Sequence, residues 1–281
     1  KDYSYEDDST LLDEDRVSLD IWGWQDDEIQ PMQLKNKAQE ERKSYLTVLS
    51  LVDLKVVQLG TPEVDEVQLE NKITQDIALA WTEAPYRKNY SWDIQIGRDL
   101  YLLDLATGNK ALIEKNASGS ARLSPGGNYA YWYDARDSSW VAYDLKAKAK
   151  INLTAAIPVP FYDELHDSPS LPSSYGAAGW LEGDASFLIN DRFDLWKVDP
   201  RNPASAQNLT GGEGRKTQKS FRRERLKVDE VAIDPKEPLL LSGFDEVTKK
   251  SGFYAAIYQG KSLPKELMFS DHLNYGIRKA E

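Results

Sequence analysis

The chain has 281 residues, of which 41% are apolar and 29% charged, with 8 Trp, 15 Tyr and no Cys. That mixture belongs to a soluble globular protein with a substantial core, and the lack of Cys excludes disulfides, thiolate catalysis and Cys-based zinc sites. A net charge of −11 repels phosphate backbones and anionic headgroups, so no nucleic-acid partner is expected. No stretch nears the roughly 20 apolar residues of a membrane span, so no membrane insertion is expected either.

In chain order, the acidic runs Glu6-Asp7-Asp8 and Asp13-Glu14-Asp15 come first. They lack the alternating ligands and glycine of a calcium loop and read as solvated charge. Residues 33–43 are predicted as a helix, with a second helical turn near residues 160–165. Elsewhere the apolar pattern has period two, and one element recurs: an aromatic and aliphatic strand, an Asp or polar turn, then another short strand. Its copies are Tyr45-Leu46-Thr47-Val48-Leu49-Ser50-Leu51 with Asp53, Leu100-Tyr101-Leu102-Leu103-Asp104, Trp140-Val141-Ala142-Tyr143-Asp144 and Leu195-Trp196-Lys197-Val198-Asp199. A weaker fifth spans residues 253–258.

The four aspartates lie 51, 40 and 55 residues apart, close to the roughly 40–50 residues of a four-stranded propeller blade. Asn152-Leu153-Thr154 and Asn208-Leu209-Thr210 follow their aspartates by 8 or 9 residues, where the last strand of a blade should end. The clearest blade covers residues 122–154, with Ser124-Pro125-Gly126-Gly127-Asn128 as its first turn. Similar plans fit residues 179–210 and 228–269. The predicted fold is all-β: residues 1–281 form a β-propeller with about five four-stranded blades, an incomplete part of a larger ring. Residues 271–281 read as a connection into a further blade, and a start at Lys1 suggests a processed or excised chain.

Several stretches carry a family resemblance: Val17-Ser18-Leu19-Asp20-Ile21-Trp22 with Gln30-Pro31-Met32-Gln33-Leu34, Leu123-Ser124-Pro125-Gly126-Gly127, Tyr175-Gly176-Ala177-Ala178-Gly179-Trp180, and Asp191-Arg192-Phe193-Asp194-Leu195-Trp196-Lys197-Val198-Asp199. Together they resemble the propeller of bacterial serine peptidases of the prolyl oligopeptidase and dipeptidyl peptidase IV group. The resemblance implies a secreted or periplasmic protein whose propeller sits over an α/β-hydrolase domain, restricts access to it and helps position peptide substrates. That catalytic domain would follow residue 281 and would be the propeller's main partner.

The chain itself is expected to be non-catalytic and to need no cofactor. A hydrolase nucleophile needs a Gly-x-Ser-x-Gly elbow; Ser118-Gly119-Ser120 is the nearest arrangement and reads as a loop before a strand. His166 and His272 are the only histidines, too few for a three-His metal site, and neither has triad context. Of four sequons, at Asn89, Asn116, Asn152 and Asn208, the last two belong to the repeated blade ending.

Two groups are candidate sites. The acidic pair Asp163 and Glu164 resembles in its place the glutamate pair with which dipeptidyl peptidases capture a substrate's amino terminus; an ammonium with three donors suits close carboxylates. Asp-Glu followed by Leu-His departs from that pattern, and a solvated acidic loop is the simpler reading. The basic run of residues 215–227, with Arg215, Arg222 and Arg223, reads either as a charged connection between blades or as a docking surface for an acidic partner or for the catalytic domain. Two rival functions remain: a free-standing binding or scaffold propeller for protein or carbohydrate, and a propeller glycosidase with paired carboxylates.

Overall fold

The structure, a computed structural model, describes Thr10, Leu12, Glu14 and residues 19–69, 76–258 and 263–271. The acidic runs apart from Glu14, Val17, Ser18, His272 and the connection beyond residue 271 lie outside the described residues.

Helix α1 (Gln30–Glu40) precedes a two-stranded antiparallel sheet of β1 (Thr47–Leu49) and β2 (Val56–Gln58). Four four-stranded antiparallel sheets follow, each ordered as in sequence. The first holds β3 (Glu66–Gln68), β4 (Ile77–Thr82), β5 (Arg98–Asp104) and β6 (Lys110–Ala117). The second holds β7 (Arg122–Leu123), β8 (Tyr129–Asp134), β9 (Ser139–Asp144) and β10 (Ala149–Asn152). The third holds β11 (Ala177–Trp180), β12 (Phe187–Asn190), β13 (Leu195–Val198) and β14 (Gln207–Asn208). After a short helix α2 (Glu213–Thr217), the fourth holds β15 (Lys219–Arg223), β16 (Leu239–Asp245), β17 (Ser251–Ala256) and β18 (Lys265–Ser270).

Strand alternation explains how the sheets stack. Successive side chains point to opposite faces, and here both faces are apolar. Phe187 and Ile189 of β12 pack with Tyr129, Trp140 and Ala142 of the preceding sheet. Leu188, between them, packs with Phe221, Leu239 and Leu241 of the following one. Likewise Trp132 meets Leu79 and Leu100 across the junction of the first two four-stranded sheets, and Ala78, Ala80 and Leu103 meet Val57 and Leu59 of the two-stranded sheet. The first three four-stranded sheets are thus each sandwiched between their chain neighbours, which is the packing of propeller blades. Trp132, Trp180 and Phe187 are among the largest fully buried side chains, each worth about 2–3 kcal/mol of burial.

Polar residues close the blades in register. Asp104 accepts from Ala106 N at 3.0 Å and Thr107 N at 2.8 Å, and Asp144 from Lys146 N at 2.9 Å and Ala147 N at 2.7 Å. Four residues beyond these aspartates the chain turns left-handed, at Gly108 (φ 75°) and Lys148 (φ 53°). The Asn-Leu-Thr endings act alike: Leu153 N donates to Trp140 O and Leu209 N to Leu195 O, both at 2.8 Å, while Thr154 and Thr210 accept from Trp140 N and Leu195 N at 3.2 Å. Leu59 N donates to Leu46 O at 2.9 Å, and Asp53 accepts from Lys55 N at 3.3 Å. The β1–β2 sheet therefore repeats the third and fourth strands of a blade.

Three sequence expectations need correction. The helix begins at Gln30 instead of residue 33, because Pro31 suits the first helical turn, where its missing N–H costs nothing. The turn expected near residues 160–165 is confined to Glu164 and Leu165, where His166 N donates to Asp163 O at 3.2 Å; before it Tyr162 makes a bridge with Ser174 and Asp163 N donates to Ser173 O at 2.7 Å, giving a small hairpin. The last blade starts at Lys219 and not at residue 228. Its first strand lies inside the basic run that looked like a connection, because arginine stems pack as readily on a strand as apolar residues do.

Candidate functional site

Antiparallel order puts the second-to-third turns and the blade-to-blade connections at one end of the sheets and the remaining turns at the other. The loop end collects the chemistry. Its centre is the turn Asp191-Arg192-Phe193-Asp194 between β12 and β13, both of whose carboxylates are buried. Asp191 accepts from Phe193 N at 2.7 Å, Asp194 N at 3.0 Å and Trp196 Nε1 at 2.7 Å. Asp194 accepts from Thr210 Oγ1 at 2.6 Å and, at the first turn of α2, from Gly214 N at 3.0 Å and Arg215 N at 3.1 Å. A Cβ at Gly214 would sit 2.7 Å from both Asp194 Oδ1 and Phe193 O, so only glycine lets α2 approach.

Two guanidinium groups lie over the Phe193 ring, Arg192 at 4.8 Å and Arg215 at 5.3 Å from its centroid. Arg192 grips Glu246, in the β16–β17 turn, at 2.6 Å and faces Glu164 at 3.5 Å. Arg215 reaches Glu164 at 3.0 Å and Asp191 at 3.4 Å. The Arg192 guanidinium is held above its ordinary pKa by the Glu246 hydrogen bond. For Arg215 burial pulls downward, and Glu164 with Asp191 overrides it and leaves the group raised. Arg222 is more deeply set: it donates to Phe221 O at 2.7 Å and Arg192 O at 2.9 Å and lies 5.7 Å from the centre of the Tyr175 ring. Burial lowers its pKa.

The structure thus brings Glu164, Arg215 and Arg222 together in one cluster. Asp163 stands beside it, accepting from Leu165 N at 3.0 Å and Tyr175 Oη at 3.3 Å, while the same phenol oxygen accepts from Glu164 N at 2.8 Å. Arg223 points elsewhere: it pairs with Glu230, and its side chain is 11% exposed. Sequence reasoning missed Arg192, Tyr175 and Glu246 as cluster members, although Arg192 and Tyr175 lay inside the stretches that carry the resemblance. Glu246 is 54 residues from Arg192 and had no local signal.

The remaining candidates are accounted for locally. Ser118 Oγ donates to Asp134 at 2.8 Å, and Ser120 Oγ accepts from Arg98 at 3.1 Å. His166 Nε2 is 3.1 Å from Ser170 Oγ but also 2.8 Å from Ser170 O. Donating to that carbonyl requires a proton on Nε2, so the same nitrogen cannot take the serine proton as a base. Among the described residues no three His or carboxylate side chains converge as a metal set.

No protein-family profile and no curated protein matches the chain. Solved structures that align with it include a putative TolB from Agrobacterium tumefaciens, 13% identical with a TM-score of 0.41 over 81% of this chain and 74% of that one. Porphyromonas gingivalis dipeptidyl peptidase 4 aligns at 10% identity and a TM-score of 0.41 over 81% of this chain, which spans 37% of the peptidase. The propeller domain of the Trilobed protease from Pyrococcus furiosus aligns at 12% identity and a TM-score of 0.33, covering 73% of this chain and 71% of that domain.

Proposed function

We propose that this chain is the non-catalytic propeller of a secreted or periplasmic serine peptidase, and that its loop end faces the hydrolase domain and helps position peptide substrates. The observation that carries this reading is the composition of the cluster. Asp163, Glu164, Asp191, Asp194 and Glu246 surround Arg192, Arg215 and Arg222. Carboxylates outnumber guanidinium groups, so the field there favours an incoming ammonium. Within the pair, the bonds that hold Asp163 both fall on Oδ1, whereas both Glu164 oxygens face arginines. Asp163 is the ammonium acceptor in this scheme, and Glu164 positions the hairpin. Docking of the catalytic domain falls to Arg215, whose side chain is 35% exposed; Arg222 is held by backbone carbonyls and Arg223 by Glu230, so neither is offered to a partner.

The test uses the full-length enzyme. Asp163→Asn should lower kcat/KM for substrates with a free amino terminus about tenfold or more, the loss of one charge-assisted bond, and leave blocked substrates nearly unchanged. Equal losses on both substrate classes would remove the positioning role. The chain alone should be inert to fluorophosphonate serine-hydrolase probes, since no serine in it meets the elbow and base requirements; stoichiometric labelling would refute the non-catalytic assignment.

A further inference from the structure

The connection between β10 and β11 folds into a hairpin with a fixed base. Phe161, 1% exposed, lies in the core with its ring centroid 6.5 Å from that of Trp196, and its carbonyl accepts from Tyr175 N at 3.2 Å. Gly176 follows at a φ of 92° with open space where a Cβ would stand, so glycine serves its backbone and not its packing, and Gly176 O accepts from Asn190 N at 3.1 Å. Beyond this base the hairpin is bonded to itself. Tyr162 bridges Ser174, Asp163 N donates to Ser173 O, Glu164 N donates to Tyr175 Oη at 2.8 Å, and His166 Nε2 meets Ser170 O at 2.8 Å. Its outer part can therefore move as one body.

The two flanks of the hairpin differ. Toward the third four-stranded sheet Glu164, with a side chain 17% exposed, pairs with Arg192 at 3.5 Å and Arg215 at 3.0 Å. Neither arginine depends on it: if Glu164 leaves, Arg192 keeps Glu246 at 2.6 Å and Arg215 keeps Asp191 at 3.4 Å. Release thus strands no guanidinium group, and partly exposed pairs of this kind hold weakly. Toward the second sheet, Leu171, Ser173 and Ser174 border a cavity of about 490 Å³ that Gln95 and Ser118 also line. Leu171 is 38% exposed, so a hairpin moving into that room buries apolar surface.

We infer that residues 162–174 form a strap latched by Glu164, and that the strap swings over the cavity beside the second sheet when Arg192 and Arg215 release it. The latch regulates the loop end, because a partner's carboxylate that takes Arg215 removes one of the two holds on Glu164, and the strap carries Asp163 with it. That consequence rests on the proposed peptidase role. The swing itself is tested on the chain alone, so the two fail separately.

The sequence has no Cys, which leaves introduced thiols without background. Gln95→Cys with Leu171→Cys places one thiol on each of two segments that border the cavity. In that protein Glu164→Gln should speed disulfide formation in a glutathione buffer about tenfold at low salt. Raising the ionic strength to about 1 M, where the screening length falls to roughly 3 Å, should speed it similarly with Glu164 in place. A single Leu171→Cys, compared with and without Glu164→Gln, should react several-fold more slowly with iodoacetamide once the latch is removed, and it carries the test if the double-cysteine protein fails to fold. Should Glu164→Gln itself not fold, the salt comparison decides by the same criteria. The strap is overturned if release of the latch leaves these rates unchanged, or if it makes Leu171→Cys react faster, which is fraying of the hairpin and not closure.

Discussion

The two ends of the sheets differ in what meets their carboxylates, although Asp194 at the loop end, like Asp184 at the other, accepts only from uncharged donors. At the short-turn end Asp184, 3% exposed, reaches across to the neighbouring blade. It accepts from Ser124 Oγ at 2.7 Å, Gly126 N at 2.8 Å, and Asn128 N and Nδ2 at 3.1 and 2.8 Å. Every one of those donors is uncharged. At the loop end Glu164, Asp191 and Glu246 meet guanidinium groups, and Arg192 links two carboxylates contributed by different segments. A carboxylate satisfied by neutral donors in a fixed turn is a lock: its bonds are short, and salt barely reaches it. An acid and arginine network that stays partly exposed can exchange partners, which is what a binding or docking surface requires. The loop end is therefore where function is to be sought, and the short-turn end is where the blades are held in register.

Reversing a buried charge should have the largest effect on this contrast. Arg222→Glu places a carboxylate under the ring of Tyr175 and beside Asp191 and Asp194, whose charges now favour the arginine. A loss of about 4 kcal/mol is expected in urea melts of the chain, as for breaking a buried pair. A loss under about 1 kcal/mol would mean that Arg222 is a free surface group and that the loop end is looser than described. Asp184→Ala comes next, at about 3 kcal/mol, because it strands the Ser124, Gly126 and Asn128 donors and puts alanine at a φ of 54°. Asp184→Asn tolerates that backbone and should lose less than half as much. Neither loss should depend on salt, and a strong salt dependence would erase the distinction between the two ends.

Arg192→Met tests the other side of the comparison. Its side chain is 21% exposed and its partners are 17% and 28% exposed, so the expected loss is about 1 kcal/mol at low salt. The loss should fade at about 1 M salt, where the screening length shrinks to roughly 3 Å.

How much of this was legible in the sequence follows from how far apart the partners lie, and the Asp184 lock, 56 to 60 residues from its donors, left no more mark than the ionic network did. Local locks leave local marks. The Asp turns at Asp104 and Asp144 and the Asn-Leu-Thr endings bond to residues nearby in sequence or on the paired strand, and they exposed the blade repeat. Distant partnerships leave none. Arg192 finds Glu246 and Arg215 finds Glu164 only through blade packing, 54 and 51 residues away. Strand β15 was hidden for another reason: Lys219, Arg222 and Arg223 gave it the composition of a solvated connection. Inside the fold those stems pack in the sheet while the heads find Tyr254 Oη, backbone carbonyls and Glu230.

The smallest expected effect concerns a third carboxylate, which borders both behaviours. Asp65, with a side chain 5% exposed, accepts from Lys43 at 2.7 Å and Arg87 at 3.1 Å, and Lys43 directly follows the turn that ends α1. Burial pushes the Asp65 carboxyl up; the Lys43 ammonium, with Arg87 behind it, overrides this and leaves the pKa below its usual value. Lys43 is raised in turn, chiefly by its hydrogen bond to Asp65. A carboxyl with a depressed folded pKa contributes stability above its unfolded value, near 3.9, and loses it as pH falls through the folded value. The raised lysine contributes below its ordinary 10.5 and loses it as pH rises above the folded value. The contact should therefore hold across neutral pH and weaken at both extremes. With the Lys43 side chain 26% exposed and solvent close by, the gain over Asp65→Asn should be under about 1 kcal/mol at pH 7. Urea melts of both proteins from pH 7 down to about pH 3 should show that difference shrinking only below about pH 4. A difference that stayed constant through that acid range would mean that Asp65 acts through its shape and not through its charge, and does not belong to an ionic network.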